Sequence, residues 1–171
     1  ILSGGIFYKK LSDFIYQQTT DQTFQGDPNV EVTQAINGDN ASLFGFEVAW
    51  QQNLTFLPGI LGGLGVYANY TYTASNAEVE NFAQGDELTE IDLPGQSEHV
   101  GNVALTYTKG GFSGRVTVNF NGAFISEIDG GDLVLIDSRT QLDASLSQTF
   151  AKKFTVFAEL VNLNNAEQIE L

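Results

Sequence analysis

Apolar and polar residues alternate one by one along most of this chain, and that period of two constrains the fold more than any other feature. The stretch "LTYTKGGFSGRVTVNF", residues 105–120, sets Leu105 and Tyr107 against Thr106 and Thr108, then Phe112, Val116, Val118 and Phe120 against Arg115, Thr117 and Asn119. Successive side chains of a strand point to opposite faces, so each half is a ribbon with one oily and one wet side. Seven segments carry the pattern: 5–18, 42–55, 64–74, 100–108, 112–125, 139–150 and 154–163. No segment sustains a helical stripe with a cap at each end. The chain is predicted to be all-β and antiparallel.

The connections sort by length. "LPGILGG", "KGG" and "AKK" are short, whereas 19–41, 75–99 and 126–138 are long and polar. Because the two kinds take turns along an antiparallel series, every short turn falls at one end and every long loop at the other. Charge follows the same division. Most of the 21 acidic residues lie in the long loops (Asp21, Asp27, Glu31 and Asp39; Glu78, Glu80, Asp86, Glu87, Glu90, Asp92 and Glu98; Glu127, Asp129, Asp132 and Asp137), while Lys109, Lys152 and Lys153 lie in the short turns. Short turns on one side and long loops on the other mark an up-and-down barrel of the bacterial outer membrane.

Aromatic residues add a third correlation. Tyr107 and Phe112 bracket "KGG", Phe150 and Phe154 bracket "AKK", and Trp50 ends the apolar set Phe44, Phe46, Val48 ahead of "LPGILGG". By parity all five rings share the oily face, at the height where a girdle facing lipid headgroups would sit. The wet face is uncharged for the most part. Only 16% of the chain is charged, against about a quarter in soluble domains, and Thr, Ser, Asn and Gln fill the polar positions. Glu47, Asn69, Arg115, Asn119 and Asp143 share that wet face and would line a lumen. No apolar run approaches the length of a spanning helix, since Pro58 and several glycines break "LPGILGGLGVYA".

Groups that could carry chemistry are few. With no cysteine, thiolate metal sites and cysteine nucleophiles are excluded, and Lys+Arg 7 against Asp+Glu 21 leaves no footprint for nucleic acid. His99, the single histidine, lacks a partner at metal-ligand spacing and is read as a tether where a loop re-enters a strand. Serine triads have no convincing base, so an enzyme is not expected. In "EIDGGDLVLID", Asp129 and Asp132 flank two glycines that could wrap calcium through oxygen ligands. A turn that needs positive φ explains the same letters and is the preferred reading. Asn-x-Ser/Thr triplets at Asn40, Asn53 and Asn69 are set aside, as two of them fall in strands or beside a turn.

Four stretches in order resemble the C-terminal part of the barrel of TonB-dependent outer-membrane receptors: "GGIFYKKLSDFIYQ", "LFGFEVAWQQNLTFLPGILGGLGVYANYTYTAS", "LPGQSEHVGNVALTYTKGGFSGRVTVNF" and "LDASLSQTFAKKFTVFAELVNLNNA". The resemblance spans nearly the whole chain. It implies about seven strands of a larger barrel of the 22-strand type, with the plug domain and the final barrel strands absent, so residues 1–171 are expected to be a partial barrel domain. It further implies a bacterial outer-membrane transporter importing a scarce nutrient. Its partners would be outer-membrane lipid, the rest of the barrel and its plug, TonB through a missing N-terminal part, and a surface lipoprotein. The five lumen residues would then face plug or substrate. Two other classes fit the alternation: a passive channel or structural barrel, and a soluble secreted β-sandwich whose oily face is inward.

Overall fold

The computed structural model describes residues 1–81 and 87–171; Asp86 of the long acidic loop lies outside the described residues. Twelve strands form: β1 (Leu2–Ser12), β2 (Ile15–Phe24), β3 (Asp27–Asn37), β4 (Asn40–Asn53), β5 (Leu64–Asn81), β6 (Glu87–Ile91), β7 (His99–Lys109), β8 (Phe112–Asn121), β9 (Phe124–Asp129), β10 (Asp132–Ile136), β11 (Arg139–Phe150) and β12 (Phe154–Leu160). A single antiparallel meander runs β1-β4-β5-β7-β8-β11-β12, with β6 added on β5. Its seven members correspond one to one with the seven alternating segments. This is the wall.

Four expected strands end early: 42–55 stops at Asn53 and 154–163 at Leu160, and in the other two the reason lies in the backbone. The segment predicted as 5–18 stops at Ser12, because Asp13 takes φ +54. The break is bridged by Asp13 N–H to Asp39 O (2.9 Å) and Gly38 N–H to Phe14 O (2.6 Å), after which pairing resumes at Ile15↔Asn37. The segment predicted as 112–125 likewise ends at Asn121. There the Ser97 hydroxyl donates to Gly122 O (2.8 Å) and Gly122 N–H to His99 O (2.8 Å). Backbone groups freed by a kink are costly unless re-paired, and these are re-paired.

The long polar loops are not loops. Residues 19–41 hold most of β2 and β3, 126–138 hold most of β9 and β10, and 75–99 hold the upper part of β5 and β6. At about 9–11 residues per crossing, the β5 strand Leu64–Asn81 is longer than a bilayer needs, and its excess pairs with β6. Beyond the wall, β10-β9-β2-β3 make a second sheet, joined by the parallel pairing Gln18↔Ile128 and Thr19↔Asp129. The densest packing lies here and not in the wall. Tyr16, Val79 and Ile128, one from each hairpin, are almost fully buried, with Phe14, Ile36 and Ile91 against them. Each such residue contributes about 1.5–3 kcal/mol by leaving water. The expectation of long polar loops is therefore corrected: most of the acids occupy outer positions of hairpins that turn Tyr16, Val79 and Ile128 inward, with Gln18 and Thr19 buried as well.

At the opposite end the connections are tight, as expected. Gly110 and Gly111 both take positive φ (61° and 82°) between β7 and β8, the two-residue turn whose twist matches its flanking strands. A 3₁₀ turn over Gly59–Gly63 links β4 to β5. Ala151 and Lys152 take φ 49° and 55° between β11 and β12; residues with a Cβ lose about 1–2 kcal/mol each in that region.

Candidate functional site: the two faces of the wall

Register decides which side chains share a face. Across the wall run the rows Leu2, Trp50, Ala68, Val103, Val118, Leu142 and Ile6, Phe46, Tyr72, His99. The same face carries Val66, Leu105, Val116, Ala144 and Leu160. These side chains are apolar yet uncovered: Val103 is 56% exposed, Phe44 53% and Phe154 71%. Soluble monomers seldom leave a continuous apolar surface of this breadth open. Tyr107, Phe112, Phe150 and Phe154 fall on this face beside the short turns, with the Tyr107 and Phe112 rings 6.0 Å apart and Phe150 paired to Phe154; Trp50 shares the face but lies in the row of Val103, midway along β7 rather than at the height of the other four rings.

A second aromatic group, not singled out from the sequence, lies toward the hairpin end of the same face. The Tyr70 and Tyr72 rings lie against His99, with Phe46 against both tyrosines; the His99 Nδ1 lies 2.7 Å from the Tyr70 hydroxyl and its Nε2 3.7 Å from the Glu98 carboxylate. His99 is thus held by a ring and an acid, as a tether would be. The signal was the Tyr70-Thr-Tyr72 spacing, which reads equally well as ordinary strand composition.

The opposite face is polar. Glu47, Asn69, Arg115, Asn119 and Asp143 all lie on it. The Asn69 amide donates to the Tyr67 hydroxyl (2.8 Å) and accepts from Asn102 (3.1 Å). Arg115 donates to Thr117 (3.1 Å) and lies over the Tyr67 ring at 6.0 Å. Glu47 stands apart, in a depression of about 370 Å³ lined by Ser3, Tyr67, Asn69 and Thr71. It has no hydrogen-bond partner among the described residues.

Asp143 is committed to the wall itself. Its Oδ2 accepts from Asn119 (2.8 Å), and its Oδ1 accepts from Gln141 (2.8 Å) and from the backbone N–H of Asn162 (2.8 Å). The neighbouring Asn164 side chain imitates a peptide group, accepting from Leu142 N–H (2.9 Å) and donating to Thr140 O (2.7 Å). Asn162 and Asn165 adopt φ 57° and 50°, which Asn tolerates better than most residues. This clamp was not foreseen, since "NLNN" carries no alternation.

Asp129 and Asp132 pair across the tip of the β9–β10 hairpin, where Gly130 and Gly131 take φ 56° and 97°. Gly130 N–H donates to Thr19 O (3.0 Å), so the turn is docked on β2. Among the described residues no three acidic or histidine side chains converge.

An antiparallel meander with one broad oily face, one uncharged polar face, tight turns at one end and long hairpins at the other is a portion of a transmembrane β-barrel wall. Residues 1–163 match the family described as TonB dependent receptor-like, beta-barrel, and the chain belongs to that family. It is a family of bacterial outer-membrane transporters rather than enzymes, and its members work with a plug and with TonB. Comparison with curated proteins and with solved structures gives no match.

Proposed function

We propose that this chain is a stretch of wall, with its outer hairpins, from a TonB-powered importer of a scarce nutrient, and that the plug and the remaining strands belong to the same protein. The observation that carries this reading is the division of the wall into two chemically opposite faces, read together with family membership. The apolar face with Trp50, Tyr107, Phe112, Phe150 and Phe154 meets lipid. Glu47, Asn69, Arg115 and Asn119 face the lumen, where plug or passing solute would touch them. Glu47 is the strongest contact candidate, being charged and unpaired in a depression; Asp143 serves the wall instead. The hairpin layer faces outward from the cell.

The test is uptake by cells carrying the full-length protein, with and without TonB or the inner-membrane proton gradient. An energised importer loses uptake when either is removed. A passive channel keeps it, and a soluble module is found outside the outer-membrane fraction.

A further inference from the structure

The chain has a net charge of −14, yet one end of its wall is purely cationic. Spans 48–77, 99–126 and 144–158, which hold the three short turns and the lower strands, contain no acidic residue. Lys109, Lys152 and Lys153 stand at the turns themselves. Phe56 (73%) and Ile60 (70%) are exposed on the turn between β4 and β5, which Lys109 reaches at Gly59, and Phe150 (54%) and Phe154 (71%) flank the turn of Lys152 and Lys153. Basic heads next to bare apolar side chains suit the boundary of a bilayer, where a lysine stem lies along apolar surface and its ammonium reaches a phosphate.

The three lysines differ in their partners. Lys109 donates to Gly59 O and ties two turns together. Lys152 and Lys153 have no such partner among the described residues. Lys152 sits at φ 55° in a turn closed by Lys153 N–H to Phe150 O (3.0 Å). The sister turn between β7 and β8 places Gly110 and Gly111 in that conformation. Ala151 shares this conformation at φ 49°, so the turn itself sets the backbone, and it leaves the Lys152 and Lys153 side chains exposed.

We infer that the short-turn end of this wall, centred on Lys152 and Lys153, docks the anionic headgroups of phospholipid in the leaflet it meets. The inference rests on the membrane reading above. A basic residue at an anionic surface gains about five-fold in local preference, so the pair enriches anionic lipid around β11–β12 by about five- to 25-fold, less at high salt.

The experiment uses the full-length protein in lipid nanodiscs, with a fluorophore on Val156→Cys, which lies on the apolar face near the turn. Quenching by brominated-chain phosphatidylglycerol is compared with quenching by brominated-chain phosphatidylethanolamine. Preference for the anionic lipid is expected in the parent and in Lys152→Arg/Lys153→Arg. It should fall at least five-fold in Lys152→Gly/Lys153→Gln, where glycine relieves the turn and protects folding. Equal quenching by both lipids in the parent overturns the inference and leaves an acidic protein partner as the better occupant; a preference that survives in the Gly/Gln variant overturns it as well, by placing the selectivity elsewhere on the wall. Failure to enter bilayers at all would overturn the membrane reading as well.

Discussion

Val103→Arg tests the orientation of the wall most directly. Val103 lies midway along β7, between His99 at one rim and Lys109 at the other, flanked across the sheet by Ala68 and Val118. It is 56% exposed, so the larger side chain meets no steric obstacle. The rows around it offer Trp50, Tyr70, Leu105, Val116 and Phe120 but no carboxylate. An arginine near the midplane on the lipid side of a barrel costs about 2–4 kcal/mol, between one and three orders of magnitude in the folding equilibrium. Thr71→Arg is the control. Thr71 lies on the opposite face, directly across from Glu47, and a cross-strand pair of opposite charge is worth about 0.2–1 kcal/mol. The assay is guanidinium unfolding of the full-length protein folded into lipid vesicles, with the folded fraction read from its altered gel mobility and the midpoints converted through the measured slope. Val103→Arg should lower stability by about 2–4 kcal/mol while Thr71→Arg stays near the parent. Equal tolerance of the two changes, or the reverse order, would refute the assignment of faces.

Three further outcomes follow from the geometry. A Cβ at Gly45 would run into the Tyr72 carbonyl and the Phe7 ring that lies across from it, so Gly45→Ala should lose about 1–3 kcal/mol in the same unfolding assay. Asp143→Ala strands three donors, from Asn119, Gln141 and Asn162; a loss of about 1–3 kcal/mol and faster amide exchange at Asn162 are expected, and unchanged exchange there would dismiss the clamp. Burial first, and the Glu80 charge second, hold the Tyr16 phenol above its usual value near 10. Because the folded hairpin layer favours the protonated phenol, the stability from this group is complete below about pH 10 and is lost as pH rises beyond it. Limited proteolysis of the hairpins should therefore accelerate above pH 10 in the parent, and Tyr16→Phe should remove that increment.

Much of the wall was legible because its physics is local. Whichever way the oily face turns, alternation assigns Val103, Val116 and Leu142 to one side and Asn69, Arg115 and Asn119 to the other, and pairing preserves that parity from strand to strand. The β11 boundaries, Arg139–Phe150, match the alternating segment to the residue. The short turns were readable from glycines at Gly110–Gly111 and from the sorting of lengths. The hairpin layer was not. Val79 and Ile128 sit among acids, and Tyr16 lies within a segment assigned to the wall, so their burial depends on three hairpins distant in sequence arriving together. The asparagine clamp was hidden for a related reason, since a side-chain amide that replaces a backbone group leaves no periodic trace.

By itself the sequence determined that seven alternating segments between residues 5 and 163 make an antiparallel, two-faced wall with its acids gathered at one end, because strand periodicity and turn chemistry act between near neighbours. Tertiary structure alone decided that the acidic ends interlock into a packed layer, that Asp143 is spent on the wall while Glu47 stays free, and that Lys152 is held in a conformation better suited to glycine. The first two depend on contacts between segments distant in sequence, and the last on how the β11–β12 pair closes its own turn.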